Sequence, residues 1–359
     1  MTRPAQVVVD LAALRHNLSQ VRKHAPGRRI IAIVKADAYG HGIVRVANTL
    51  RDADAFGVAC IEEAVELREA GVTAPVVLLE GPYSESELPD ISGLGLDIVI
   101  HNDEQLRMVE QDPAAAPAGV WIKLDSGMHR LGFDPDRAAD VHARLVSRLA
   151  GAAPVRLMTH LAAANEPGNE MTNRQLAVFE RACAGLEAER SIANSAAILC
   201  WPQSHADWIR PGLMLYGVSP VEGRDAAALG LRPVMTLRSR LISIRNVRAG
   251  ESIGYGASWR CPGDMSVGVV AAGYADGFPR HARTDTPVVV NGRRTRTLGN
   301  ASMDMITVDL SSQPQARVGD PVEIWGPNIP IEEVAAHAGT VPYELLCGVH
   351  KRLLFLEHG

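Results

Sequence analysis

The stretch AIVKADAYGHG, residues 32–42, belongs to an apolar run, Ile30 to Val34, that stops abruptly on Lys35. Tyr39, Gly40, His41 and Gly42 follow at once. A lysine closing a strand can simply snorkel into solvent on its alkyl stem. It can equally aim a reactive amine into a site, and the surrounding pattern separates the two. Seven more short β-rich runs follow: AFGVAC, PVVLLE, DIVIH, VWIKLD, VRLMTH, SIANS and WIRPGLMLYG. Amphipathic segments such as IEEAVELREAG and NRQLAVFERACAGLEAE lie between them. Eight strands, each but the last followed by a helix pattern, predict a parallel (β/α)8 TIM-type barrel, a fold of about 250 residues. A doubly wound open sheet is the alternative. It ordinarily carries a GxGxxG turn after its first strand, and the first two strands here lack one.

Near LRPVMTLRSRLISIRNV the character changes. SVGVVAAGY, TPVVVNG, RTRTLG, MDMITVDL and PVEIWG alternate with Gly, Asp, Asn and Pro turns, with little helix pattern between them. That predicts an α/β protein whose barrel is followed by a mostly β domain. The expected division is 1–230 and 231–359, and 359 residues suit two domains. Hydrophobic residues at 47% and charged residues at 21% provide large cores and exclude a disordered chain. A net charge of −5 argues against nucleic acid as a partner. Cys60, Cys183, Cys200, Cys261 and Cys347 are scattered and form no CxxC pair, so neither a disulfide framework nor a zinc cage is expected. MTRPAQVVVD runs directly into the helix-like LAALRHNLSQVRKH, and no apolar stretch nears the ~18 residues of a membrane span. A soluble, cytoplasmic protein is expected.

In a parallel barrel the chemistry sits at the C-terminal ends of the strands. Those ends carry Lys35, His101, Lys123, His160, Asn194 with Ser195, and Arg210. Such a rim reads as functional. The histidines form no HExxH, no Walker loop appears, and no metal is expected. What remains suits a cofactor that takes a lysine amine, an anion pocket and an imidazole platform. Pyridoxal 5'-phosphate (PLP) asks for that set. RPGLMLYG can offer the backbone N–H groups of Gly212 and Leu213 to its phosphate.

VKADAYGHG resembles the PLP-lysine motif of alanine racemases. KLDSGMHRLG, THLAAANE, ANSAAIL, WIRPGLMLYG, IGYGASW, GYADGFPR, NASMDM and PYELLC fall in that family's order and spacing, over essentially the whole chain. The resemblance implies PLP-dependent interconversion of L-alanine and D-alanine by a homodimer with two shared active sites. By the same resemblance Lys35 carries the cofactor, and Tyr255 of the other subunit is the second base. Tyr39, Ser195, Gly212, Leu213 and Tyr343 match the phosphate pocket, His160 packs on the pyridine ring, and Arg210 meets its nitrogen. Arg130 and the backbone of Met303 match the contacts to the substrate carboxylate. Lys123 matches a lysine that many members carbamylate, and Tyr274 lies with Asn165 and Asn300 at the substrate corridor. There the sequence departs from the family, which usually has an Asp at the first asparagine position and an Arg at the second. Both charges are absent together, as if one ion pair were lost. Leu161 and Ala163 replace larger aromatic and polar residues. A broad-specificity, serine or lysine racemase on the same scaffold is the nearest alternative, and a non-catalytic PLP-binding barrel a more distant one. A decarboxylase of this fold suits Arg210 poorly, because it uses an acid at the ring nitrogen.

Overall fold

The computed structural model describes residues 3–112 and 116–359. Strand β1 (Gln6–Asp10) comes first, and the next eight strands close a parallel barrel. These are β2 (Arg29–Ile33), β3 (Ala55–Val58), β4 (Val76–Leu78), β5 (Leu96–Ile100), β6 (Gly119–Lys123), β7 (Val155–Met158), β8 (Arg190–Asn194) and β9 (Trp208–Arg210). Closure is made by β9 pairing back onto β2, with Ile30 opposite Ile209. It excludes the open sheet. Every residue of β3, β4 and β5 is buried, as a parallel sheet covered by helices requires. Capping side chains redirect the chain where strand gives way to helix. Asp10 accepts from Ala13 N–H, Asn102 from Gln105 N–H and Asn194 from Ala197 N–H, at 2.8, 2.9 and 3.0 Å.

The second unit is built on β10 (Met235–Val247), followed by the small hairpin β11 (Ser252–Ile253) and β12 (Trp259–Arg260). Then come β13 (Met265–Val270), β14 (Pro287–Val290), β15 (Arg293–Arg296), β16 (Ile306–Asp309), β17 (Pro321–Trp325) and β18 (Leu354–His358). The main sheet runs β15-β14-β17-β10-β1-β18, and β13 joins β10 to β16. Strand β1 is therefore part of this sheet, antiparallel to β10 and parallel to β18. A cut at 230/231 leaves residues 6–10 on the barrel side, whereas their hydrogen bonds lie across it. Their alternating burial, with only Val7 and Val9 fully inside, suits a sheet covered on one face and not a doubly covered barrel strand. One apolar core continues through both units, from Ala5 to Leu353. Among the described residues no helix is long and apolar enough to cross a membrane.

Candidate active site

Strand β2 delivers Lys35 to the C-terminal mouth of the barrel, and the chain then turns left-handed. Ala36, Asp37, Ala38 and Tyr39 all have φ between 51° and 55° and ψ between 44° and 52°. Each L-residue held this way costs about 1–2 kcal/mol, so the turn stores several. Gly40 follows at φ 75°, where a Cβ would stand 2.3 Å from the Leu346 carbonyl oxygen. Only glycine lets the helix Pro342–Cys347 lie this close to the turn. That helix brings Tyr343, whose ring is 5.6 Å from that of Tyr39.

A cavity of about 1360 Å³ opens at this mouth. Lys35, Tyr39, Lys123, Arg130, His160 and Asn165 line it, together with Ser195, Arg210, Gly212, Leu213 and Tyr343. With Glu80 after β4, strand-end residues from six of the eight barrel strands thus meet around one space. The nearest anion to Lys35 is Glu80, with Nζ to Oε1 at 4.0 Å, a partly exposed and therefore weak pair.

The wall around Arg210 is cationic. Arg210 is only 6% exposed. It donates to Ser191 Oγ at 2.7 Å, Thr159 O at 2.5 Å and Ile192 O at 3.2 Å, and stands 3.4 Å from His160 Nδ1. These acceptors are all neutral, and burial lowers the guanidinium pKa to about 10. Its Nε–H makes none of these bonds, so a donor is left for an acceptor inside the cavity. Burial and then Arg210, Lys123, Arg130 and Lys35 hold the His160 ring well below its ordinary pKa, so it is a neutral plate at physiological pH. Burial and then the Arg210, Arg130 and Lys35 cations push the Lys123 amine down to about 8.

Ser195 begins the helix Ser195–Cys200. Its Oγ accepts from Gly212 N–H at 2.8 Å and from Met214 N–H at 3.4 Å, so its own hydroxyl proton remains to be donated. The backbone N–H of Gly212 therefore faces the serine. That of Leu213, first in the turn Leu213–Tyr216, has no acceptor within it. A Cβ on Gly212 would lie 2.7 Å from the Tyr39 hydroxyl, so glycine here makes room for that phenol. Hydroxyls of Tyr39, Ser195 and Tyr343 and a free amide fit a phosphate. A buried guanidinium without a carboxylate fits the nitrogen of a pyridine. The donor set suits PLP.

Four expected site residues stand outside this cavity. Tyr255 is 69% exposed and Met303 52%, while Tyr274 is exposed and Asn300 half-buried. They nonetheless form one surface. Asn300 Nδ2 donates to Tyr255 O at 3.2 Å, Tyr274 N–H to Ser302 O at 3.0 Å and Ala275 N–H to Met303 O at 3.0 Å. Neither Tyr255 nor Met303, the residues expected as second base and carboxylate contact, lines the barrel mouth of its own chain.

The family profile described as alanine racemase, N-terminal domain, matches residues 9–220, and that described as alanine racemase, C-terminal domain, matches 234–355. The chain belongs to the alanine racemase family. It is 54% identical over 349 residues to an alanine racemase of Nitrosococcus oceani, covering 97% of this chain and 98% of that one. A catabolic alanine racemase of Pseudomonas putida is 51% identical over 350 residues, with coverage of 97% and 98%. The crystal structure of biosynthetic alanine racemase from Pseudomonas aeruginosa matches with a TM-score of 0.96 at 47% identity, over 100% of both chains.

Within this alanine racemase fold, several residues around the site escaped sequence reasoning. Glu80 beside Lys35 follows β4 with no motif to mark it. Tyr216, stacked on His41 at 4.5 Å and donating to Ile33 O at 2.8 Å, lies inside the quoted WIRPGLMLYG and could have been found there. Arg3 and Arg352, from opposite ends of the chain, both bind the buried Asp276 carboxylate, at 2.6 and 2.8 Å. No local signal announces that meeting.

Proposed function

We propose that this chain interconverts L-alanine and D-alanine with PLP carried on Lys35, as a homodimer in which each barrel is completed by Tyr255 of the other copy. One observation carries the reading. A lysine paired only weakly, with Glu80, faces a neutral histidine and a buried, carboxylate-free arginine in a single cavity, while the candidate second base stands exposed on another face. When bound, PLP supplies an electron-withdrawing ring that acidifies the Cα–H of an amino acid. Tyr39, Ser195, Leu213 and Tyr343 hold its phosphate, with Gly212 giving them room. His160 packs against the ring, and Arg210, which can only donate, keeps the ring nitrogen unprotonated. That restrains electron withdrawal and limits side reactions such as transamination.

Racemisation removes a proton from one face of Cα and returns one to the other. Two bases on opposite faces meet that need, each the acid in one direction. Lys35 Nζ moves the proton on the D side and Tyr255 Oη on the L side. Arg130, oriented by Lys123, binds the carboxylate with the Met303 backbone of the second copy. The reaction supplies D-alanine in one direction and feeds alanine catabolism in the other. Unit 1–230 holds most of the cofactor, while unit 231–359, joined by strand β1, adds Tyr343 to that pocket and completes the site of the other copy.

The test is chiral analysis of L-Ala, L-Ser, L-Lys and L-Arg incubated with the PLP-loaded protein, beside borohydride fixation of the cofactor. Alanine should racemise fastest, and Lys35→Ala should retain no fixed PLP. An undiminished adduct in Lys35→Ala, or no D-alanine from the unmodified chain, overturns the proposal. A broader amino-acid racemase is the second reading, favoured by the neutral Asn165 in the cavity wall. Serine or lysine outpacing alanine would select it.

A further inference from the structure

Residues 36–39 hold a conformation that an L-peptide leaves readily, so the turn after Lys35 must be fixed from outside. Glu63, on the helix Ile61–Glu69 that follows β3, reaches two main-chain donors at once. Its Oε1 accepts from Ala36 N–H at 2.6 Å, and its Oε2 accepts from Ala59 N–H at 2.8 Å. One carboxylate thereby ties the residue after Lys35 to the end of β3. His41 holds the other end of the turn. It is fully buried, and its Nδ1 lies 2.9 Å from the carbonyl oxygens of both Ala38 and Tyr39, so that nitrogen carries the proton. Its Nε2 has no partner, in keeping with an uncharged ring. Asp37 closes the frame by accepting from Ile43 N–H at 2.8 Å.

We propose that Glu63 is a positioning residue for Lys35 and Tyr39. It touches neither, and acts by fixing the Ala36 amide and hence the left-handed turn that aims the amine and the phenol into one cavity. This rests on the reading that Lys35 carries PLP and Tyr39 contacts its phosphate. The two acceptor bonds need a carboxylate. A glutamine of the same shape accepts at one end only and turns its NH2 toward the other N–H. His41 bonds the carbonyl side and cannot replace the lost acceptor.

The experiment compares Glu63→Gln and Glu63→Ala with Glu66→Gln, an equal charge change on the exposed side of the same helix. Amide hydrogen exchange is read on the PLP-free protein over residues 33–42 and 57–60. PLP affinity is read by titration, and the Lys35-linked fraction by borohydride fixation. In Glu63→Gln the Ala36 and Ala59 amides should exchange at least about tenfold faster, and the dissociation constant for PLP should rise roughly 10–100-fold. The apoprotein melting midpoint should stay close to that of the unmodified chain. Glu63→Ala should show the larger change of the two, and Glu66→Gln none. Unchanged amide exchange and PLP affinity in Glu63→Gln overturn the inference. So does faster exchange across the whole barrel with a parallel fall in the apoprotein midpoint, which is general destabilisation. If the unmodified chain fixes no PLP on Lys35, the functional reading fails, while the exchange arm still shows whether Glu63 holds the turn.

Discussion

The Lys123 ammonium is half-buried among cations, with its pKa pushed down to about 8 by burial and then by Arg210, Arg130 and Lys35. A neutral amine is the form that attacks carbon dioxide, and it becomes abundant near that pH. The carbamate formed would place a negative charge where a positive one is repelled. The pH sign follows from proton counts. Between about 8 and the ordinary 10.5 the folded chain binds fewer protons at this site than the unfolded one, so stability rises with pH there. Below that window the unmodified ammonium carries its full penalty. Bicarbonate at pH 8 should therefore raise the melting midpoint of the native chain but not of Lys123→Met. A carbamate carbon should appear in the NMR spectrum with labelled bicarbonate. Equal midpoint shifts in both proteins, with no such signal, would remove Lys123 from this role.

The strands meet the opposite demand at the other end of the barrel, where they must be joined without a site. Arg156 of β7 binds Asp97 of β5 and Glu189, each at 2.9 Å. Trp121 of β6 donates to Asp97 at 3.2 Å and Trp208 of β9 to Glu189 at 3.0 Å, while Arg29 of β2 pairs with Glu189. Burial pushes the Glu189 carboxyl up, but the hydrogen bonds from Arg29, Trp208 and Arg156 outweigh it and bring the pKa to about 2. Asp97 goes the other way, because its burial exceeds the pull of Arg156. For Glu189 the folded form holds its proton less tightly than the unfolded chain. Its contribution is therefore complete above the ordinary 4.5 and is lost as pH falls toward about 2. Glu189→Gln should lower the melting midpoint at neutral pH and flatten its fall between those two values. An acid limb identical to that of the native chain would show that the network does not act as a unit.

A complete catalytic centre requires two copies if Tyr255 is its second base. Mixing Lys35→Ala with Tyr255→Phe protein creates heterodimers in which one barrel keeps its own Lys35 and receives an intact Tyr255. Racemisation should return in the mixture, up to half the native rate per heterodimer. Silence in heterodimers whose formation has been verified would argue against a shared site. The proposed substrate corridor would be a second consequence of such an assembly. Asn165 lines the barrel cavity, while Asn300 stays with Tyr255 and Ser258, at 3.2 Å from each. In the proposed homodimer the two would meet across copies. With no charge at either position, amino acids larger than alanine should pass more readily. Asn165→Asp with Asn300→Arg should raise the alanine-to-serine preference by about 1–3 kcal/mol, or about tenfold to two-hundredfold in relative kcat/KM. The two changes should be non-additive, because each supplies the other's partner. Unchanged selectivity in the double variant, or simple additivity, would leave the asparagines without a role in selection.

Much of the architecture is legible in the chain because it is local. The eight runs from RIIAIVK to WIRPGLMLYG became β2 to β9, since β-branched residues bounded by helix periods declare a strand without reference to its partner. The rim of Lys35, Lys123, His160, Asn194, Ser195 and Arg210 was equally visible, because strand ends in a barrel share one mouth, whereas His101, expected with them, does not line the cavity. Other features depend on contacts between segments far apart. Nothing in the residue types of Ala36 to Tyr39 marks them as left-handed, and they are so because Glu63, His41 and the close backbone of Leu346 hold them. Strand β1 lies between β10 and β18, more than two hundred residues away, because its alternating face fits that sheet and not the barrel. The missing carboxylate at Arg210 and the depressed Lys123 amine belong to the packed wall, where burial sets the cost of a charge. Periodicity records what a segment can become. Which segments surround it is decided by packing, and packing fixes its handedness, its neighbours and the charge it can carry.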